Sequence, residues 1–412
     1  MRTNINRIFW GWIILVLGVI VFLSGCVSNK GNNAHITSCD NENAGKPLDQ
    51  DFKFPGTLLF ADRLETEIIA LDGETHEVIP IIDDIKIEDT SISPLTPDGK
   101  WLMVFQNQIS DQGQVKIQLI SYQGIIENKS IFFIDSYFGE RKIDFWQQVI
   151  WRNNSVIQGH AFSSNLEGAY EMGEITLLNP FQMNWSIITK KYDLPDHAAD
   201  SGYSISPDFS RIIFLNKKYN LVLYDLIHNR KLWEYSERND IYKYNNQSTI
   251  MHDVVWSDDG SIFAIPIANT DKDVRGILVM DKNGNMMNFM DYRNDPYGLS
   301  WSHDGKIIAF GISRCSDLEC ETIKPIISLY RVEGDLIQDI CALGEDYDSR
   351  SIQWSPDDEY IAYASLLNSS TNTKILIQKL DDSQVRIVEI EGRELKLLGW
   401  SKYKWVIPTN SN

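Results

Sequence analysis

Trp301-Ser302-His303-Asp304-Gly305 runs straight into Lys306-Ile307-Ile308-Ala309-Phe310, and this stretch decides the fold. Asp in a turn accepts nearby backbone N–H groups, and Gly takes the left-handed position that other residues resist. A type I turn followed by a left-handed residue joins two antiparallel strands through a bulge. The stretch therefore reads as a hairpin entering an apolar strand. It recurs as Trp256-Ser-Asp-Asp-Gly260 and Trp354-Ser-Pro-Asp-Asp358. Weaker copies are Leu95-Thr-Pro-Asp-Gly99, Trp151-Arg-Asn-Asn-Ser155, Ile205-Ser-Pro-Asp-Phe209 and Trp400-Ser-Lys-Tyr-Lys404.

A second hairpin signal alternates with the first. It appears at Leu71-Asp-Gly-Glu74, Ser121-Tyr-Gln-Gly124, Asn179-Pro-Phe181, Asp225-Leu-Ile-His228, Asp281-Lys-Asn-Gly284, Val332-Glu-Gly-Asp335 and Leu380-Asp-Asp-Ser383. Alternating, β-branched runs such as Leu221-Val-Leu-Tyr224 lead into it and favour strand over helix. Copies of the first signal lie 45 to 56 residues apart, the spacing of propeller blades. Two hairpins per repeat make four strands, which is one blade. Trp opens five of the seven copies, and one flat ring per repeat suits the packing of neighbouring sheets. The expected fold is all-β, a seven-bladed β-propeller of four-stranded antiparallel blades over residues 52–408. The chain starts on a second-type hairpin and ends on a first-type one, so the last blade is expected to combine both termini. Thr57-Leu-Leu-Phe60 and Trp405-Val-Ile407 compete for its second strand.

The repeat resembles the WD40-like repeat of TolB-type propellers, which also occurs in the propeller domains of prolyl-oligopeptidase relatives. The resemblance covers residues 52–408 and implies the fold. That architecture hosts unrelated activities, so it implies no particular function. Peptidase activity is not carried over, because no hydrolase domain follows in the sequence.

The composition narrows the classes. The chain has 412 residues, 43% of them apolar, and a net charge of −19. That apolar share excludes wholesale disorder, and the charge argues against a nucleic-acid partner. Arg2 and Arg7 precede one apolar run, residues 8–23, which is short for a membrane span and reads as a secretory signal. The run ends Leu23-Ser-Gly-Cys26, which resembles the lipobox of bacterial lipoproteins. The resemblance implies a signal peptide over residues 1–25 and lipidation of Cys26, holding the protein outside the cytoplasm on the bacterial membrane. Residues 26–51 are rich in Asn, Gly and Ser and read as a flexible tether. Four cysteines remain, with Cys315 and Cys320, bracketing a short polar loop, as the preferred disulfide. The pairing of Cys39 and Cys341 stays open.

The chain carries no G-x-S-x-G, H-E-x-x-H, Walker or G-x-G-x-x-G motif, and its seven histidines lack metal-ligand spacing. No catalytic residue and no obligatory cofactor follow. The loops before each innermost strand do carry acids, notably Asp89, Asp200, Asp253, Asp295 and Asp348. Sevenfold closure would bring them into a ring able to attract cations or hold Ca²⁺. The competing role for each is to cap a turn. The same loops hold Tyr242, Tyr244, His252, Tyr292, Arg293, Tyr297, Tyr347 and Arg350, side chains of the types that favour recognition surfaces. The reading is therefore a monomeric, noncatalytic module of the cell envelope that binds a protein, peptide or glycan. The alternative is a propeller enzyme, a glycan hydrolase or lyase, using acids at the tunnel mouth.

Overall fold

The computed structural model describes residues 46–62, 67–82, 85, 90–107, 114–132, 143–164, 170–171, 175–187, 203–216, 221–235, 254–269, 274–291, 296–315, 323–341, 346–347, 352–366, 373–380, 385–389 and 395–408. Residues 41–412 form one compact unit. Its described strands make seven antiparallel sheets, the blades of a β-propeller. The first blade takes Leu395–Ser401 from the C-terminal end, then Thr57–Asp62, Ile68–Asp72 and Val78–Ile82. Both ends of the chain thus close one sheet, as expected. Thr57–Asp62, not the segment around Trp405, is its second strand.

The second blade is Thr90–Ile92, Trp101–Gln106, Gln114–Ser121 and Ile126–Phe132. The third is Ile143–Trp151, Ile157–Ser164, Ile175–Asn179 and Asn184–Ile187, and Tyr170–Glu171 adds a short pairing to it. The fourth is Tyr203–Ile205, Arg211–Leu215, Leu221–Asp225 and Arg230–Tyr235. The fifth is Val255–Trp256, Ile262–Asn269, Val274–Asp281 and Met286–Asp291, and the sixth Pro296–Trp301, Ile307–Cys315, Ile323–Arg331 and Leu336–Cys341. In the seventh, Asp346–Tyr347 and Gln353–Trp354 both pair with Tyr360–Leu366, followed by Thr373–Lys379 and Val385–Glu389. First strands of the fifth, sixth, seventh and first blades touch in succession, which places them around the axis.

The apolar clusters lie between blades. Phe105, Ile117 and Trp151 join the second to the third, and Ile361, Trp354 and Ile327 the sixth to the seventh. The repeated Trp reaches the preceding blade in each case. Trp301 Nε1 donates to Val255 O at 3.1 Å, Trp354 Nε1 to Ser300 O at 3.2 Å, and Trp151 Nε1 to Ser93 Oγ at 3.1 Å. At the closing seam Trp400 clusters with Ala362, Ile375 and Ile377 of the seventh blade, but its Nε1 donates to Pro55 O, just before the first blade's second strand, at 2.6 Å. These four indoles thus fill a seam and keep their N–H paired, as buried Trp usually does; Trp256 fills the seam between the fourth and fifth blades by packing alone, its Nε1 without an acceptor.

Two seams lack this Trp. At the seam of Leu95, Trp405 supplies the missing ring from the C-terminal segment. It is 0% exposed and packs with Leu95, Leu59, Ile92 and Leu398 between the first and second blades. Its apolar neighbour pattern resembled a strand in sequence, yet it serves as a plug. The other exception is Ile205, at the seam between the third and fourth blades.

From residue 46 the expected tether lies on the protein. Lys46–Pro47 pairs in parallel with the outer strand Val385–Glu389, and Leu48 N donates to Ile387 O at 3.0 Å. Arg386 stacks on Phe52 at 4.9 Å and pairs with Asp49 at 3.5 Å. Phe54 is buried edge-on against Trp400 at 5.4 Å. This strap covers the edge of the seventh blade, which would otherwise offer unpaired backbone groups.

Candidate functional site

Strand order sorts the connections into two ends. In six blades the first-type turn joins strands one and two, while in the first blade the copy at Trp400 follows strand one at the chain's C-terminal end; in all seven the second-type turn joins strands three and four. Both therefore lie at one end of the molecule, the turn end. The connections between strands two and three, and from blade to blade, lie at the opposite, loop end.

The first-type turns repeat one bonding pattern. Ser Oγ donates to the Asp two residues on, at 2.6 Å for Ser206–Asp208, 2.7 Å for Ser257–Asp259 and 2.8 Å for Ser302–Asp304. The same Oγ accepts the amide five residues on, at 2.9 Å from Ile307 and 2.9 Å from Tyr360. The fifth motif residue has left-handed φ throughout the five aligned copies: Gly99 74°, Phe209 57°, Gly260 68°, Gly305 68° and Asp358 59°. Phe209 and Asp358 accept a conformation that disfavours a Cβ, which shows how strongly the turn is dictated.

The turns also bond to one another around the ring. Asp98 N donates to Asn154 Oδ1 at 2.8 Å, Asn153 Nδ2 to Pro207 O at 3.5 Å, and Ser401 Oγ to Gly99 O at 2.7 Å. His303 links three blades. Its Nδ1 lies 2.7 Å from Asp258 Oδ2, while its amide donates to Asp358 Oδ1 at 2.7 Å and the Asp304 amide donates to Asp358 Oδ2 at 2.9 Å.

Charge is unevenly spread round this ring. The fourth to seventh blades present Asp208, Asp258, Asp259, Asp304, Asp357 and Asp358 in their first-type turns. The first and third present Lys402, Lys404 and Arg152, with Lys100 beside Asp98 on the second. Tyr403 stacks on Tyr122 at 4.3 Å, with Lys100 and Lys402 within 5.7 and 5.4 Å of its ring. Burial works to raise the pKa of Asp208, Asp259 and Asp304, but hydrogen bonds from the turn outweigh it and hold all three below the ordinary carboxylate value. Asp72, Asp225 and Asp281, in the second-type turns, are lowered by the same balance. These carboxylates are ionised at neutral pH with their lone pairs engaged, so they serve as turn clamps and not as general bases. Among the described residues, no three His, Cys, Asp or Glu side chains group to hold a metal ion.

Two of the recognition candidates have a described position, and both are at the loop end. Tyr297 lies in Pro296–Trp301 opposite Gly311, and Tyr347 in Asp346–Tyr347 opposite Ser365, so both occupy the loop end of first strands in adjacent blades. Tyr242, Tyr244, His252, Tyr292, Arg293 and Arg350 lie outside the described residues. So do Asp89, Asp200, Asp253, Asp295 and Asp348, the lipidation candidate Cys26, and Cys320. Cys315 ends its strand opposite Ile323, also at the loop end. The turn-end inter-blade bonds were not anticipated; the signal was present in the polar residues of the third copy, Asn153 and Asn154, which replace the usual turn chemistry.

No protein-family model and no curated relative matches the chain. Solved structures do match its fold. An oligogalacturonate lyase in complex with manganese superposes with a TM-score of 0.53 and 12% identity, over 83% of this chain and 89% of that one. TolB from Acinetobacter baumannii gives a TM-score of 0.43 at 12% identity, over 81% of this chain and 79% of its own. Hydrazine synthase from Kuenenia stuttgartiensis gives 0.42 at 12% identity, over 72% and 78%. At such identities the likeness is one of fold: the chain is a seven-bladed β-propeller.

Proposed function

We propose that this protein is a lipid-anchored, extracytoplasmic propeller whose loop end binds a protein, peptide or glycan of the cell envelope without transforming it. The observation that carries this reading is the division between the two ends. Arg152 apart, the described polar side chains of the first-type turns bond largely within and between turns, whereas the candidates Tyr297 and Tyr347 lie, by strand pairing, at the loop end. Tyr and Arg give large contact area with few rotatable bonds, which suits recognition. Cys26, after its basic and apolar leader, supplies the anchor, and two or three acyl chains hold a protein stably where one does not. At 12% identity the likeness to a lyase is one of fold and brings no chemistry with it.

Two experiments test the reading. Full-length protein labelled with radioactive palmitate in a bacterial host carries the label and fractionates with membranes, while Cys26→Ser loses both; an unlabelled wild type refutes the anchor. A fragment of residues 41–412, immobilised and exposed to envelope extract, captures a partner that Tyr297→Ala with Tyr347→Ala does not. Equal capture by both forms refutes the assigned face.

A further inference from the structure

The seam between the third and fourth blades breaks the repeat on both sides at once. On the fourth blade, Ile205 stands where five other copies have Trp, so no indole reaches back. On the third, Arg152 stands where the first-type turn has Ser or Thr in every other copy. That position faces the next blade. Ser401 touches Gly99 across its seam, and Ser257 Cβ lies 3.6 Å from where a Cβ on Gly305 would sit. The same register aims Arg152 at the turn of Phe209, and Asn153 beside it bonds to Pro207.

By register, Arg152 thus stands on the side of its turn that faces the fourth blade, at a seam where that blade sends back no indole. Its Nε donates to Oε1 of the buried Gln158 at 2.8 Å, and no carboxylate among the described residues pairs with it. Burial pushes its pKa down to about 10. Guanidinium offers five donors in a fixed fork, and one neutral acceptor leaves most of that capacity unused. Even a half-buried charge is costly without a counter-charge, and the turn it belongs to, Arg152-Asn153-Asn154-Ser155, carries no acid. The nearest acidic turn belongs to Asp208, whose carboxylate is occupied by Ser206 and Ser210. The site stays reachable: Arg152 is only partly buried, and Ile150, two residues earlier on the same innermost strand, is 41% exposed.

We infer that Arg152 is the centre of a binding site for a small oxyanion, a phosphate or carboxylate group, seated between the third and fourth blades. Two oxygens of such a group match the guanidinium fork in a bidentate pair. The protein's overall charge of −19 disfavours anions at long range, but salt screens that field beyond roughly 10 Å at 0.1 M, leaving the local cation to decide.

The test uses residues 41–412, which contain every strand, strap and plug described above. Melting is followed against inorganic phosphate and, in a second arm, against acetate, each balanced with chloride at constant ionic strength. Wild type is expected to show a saturable rise of about 2 °C or more with at least one of the anions, since ligand binding stabilises the folded state. Arg152→Met shows none and melts no lower than wild type in chloride alone. A flat response of wild type to both anions, or the same response in Arg152→Met, overturns the site. A second measurement uses wild type alone. Phenylglyoxal modification of residue 152, quantified by peptide mass spectrometry, is slowed severalfold by the binding anion; unchanged modification with both anions also overturns it.

Discussion

Asp358 closes its own turn in the left-handed conformation and, from there, holds the neighbouring blade: its two carboxylate oxygens accept the amides of His303 at 2.7 Å and Asp304 at 2.9 Å. The residue that strains one turn thus anchors the next. Replacing it by Gly relieves roughly 1 kcal/mol of backbone strain. The loss of two hydrogen bonds to a charged acceptor, about 1.5–3 kcal/mol each when buried and less at this partly exposed site, outweighs that gain. Asp358→Gly is therefore expected to lower stability by about 1 kcal/mol or more in urea unfolding, although Gly is the commoner residue at this position of the repeat. An unchanged or raised midpoint contradicts the assigned bonds.

The other contact of His303 depends on pH. The hydrogen bond from its ring to Asp258 raises the imidazole pKa, with burial working against it. A folded-state pKa above the unfolded value of about 6.5 gives stabilisation that is full below that value. It is lost as pH rises through the folded pKa. Wild type should exceed His303→Gln in stability at pH 5.5 by up to about 1 kcal/mol, the scale of a surface pair, and the gap should shrink by pH 8.5. The substitution keeps the backbone bonds to Asp358, so the pH-dependent part reports the side chain alone. A gap that widens with pH is inconsistent with this pairing.

Trp405 is the plug of the first seam, and its removal opens a cavity among Leu59, Leu95 and Leu398. Trp405→Ala should cost about 3–5 kcal/mol in denaturant unfolding. Its Nε1 has no acceptor, so Trp405→Phe gives up no hydrogen bond and should cost well under half as much. Equal losses for the two variants contradict a role based on packing volume.

The strap makes the N-terminal boundary measurable. A fragment beginning at residue 57 keeps every blade strand but loses Phe54, Phe52 and the pairing of Lys46–Pro47 with Val385–Glu389. It should melt at least several degrees below residues 41–412, because burying one Phe alone contributes on the order of 2 kcal/mol. Coincident melting curves leave the strap without an energetic role.

Much of this architecture was legible because the turn chemistry is local. Ser or Thr, Asp and a left-handed residue at fixed offsets announce most of these hairpins, and the Trp before them announces five of the seven seams. Non-local substitutions were not legible in the same way. Trp405 looks like a strand residue beside Val406 and Ile407 until the small Leu95, more than three hundred positions away in sequence, is seen across the seam. Arg152 reads as a degenerate motif copy until Ile205 is placed opposite it. The loop-end candidates show the opposite case: residue type marks them for recognition, but no periodicity sets their mutual geometry, and only Tyr297 and Tyr347 gain a position from strand pairing.

The central claim, that the loop end binds and the turn end holds the ring together, is tested most directly by one capture experiment with paired variants. Residues 41–412 would be immobilised in three forms: wild type, a loop-end form with Tyr242, Tyr292, Tyr297 and Tyr347 changed to Ala, and a turn-end form with Tyr122 and Tyr403 changed to Ala. Each would be incubated with envelope extract and its captured proteins and glycans quantified by mass spectrometry, after melting curves show that all three are folded. A partner is expected to be held by wild type and the turn-end form and lost, at least tenfold, from the loop-end form. Loss from the turn-end form alone, with the loop-end form unimpaired, would place recognition at the wrong end of the propeller and contradict the account.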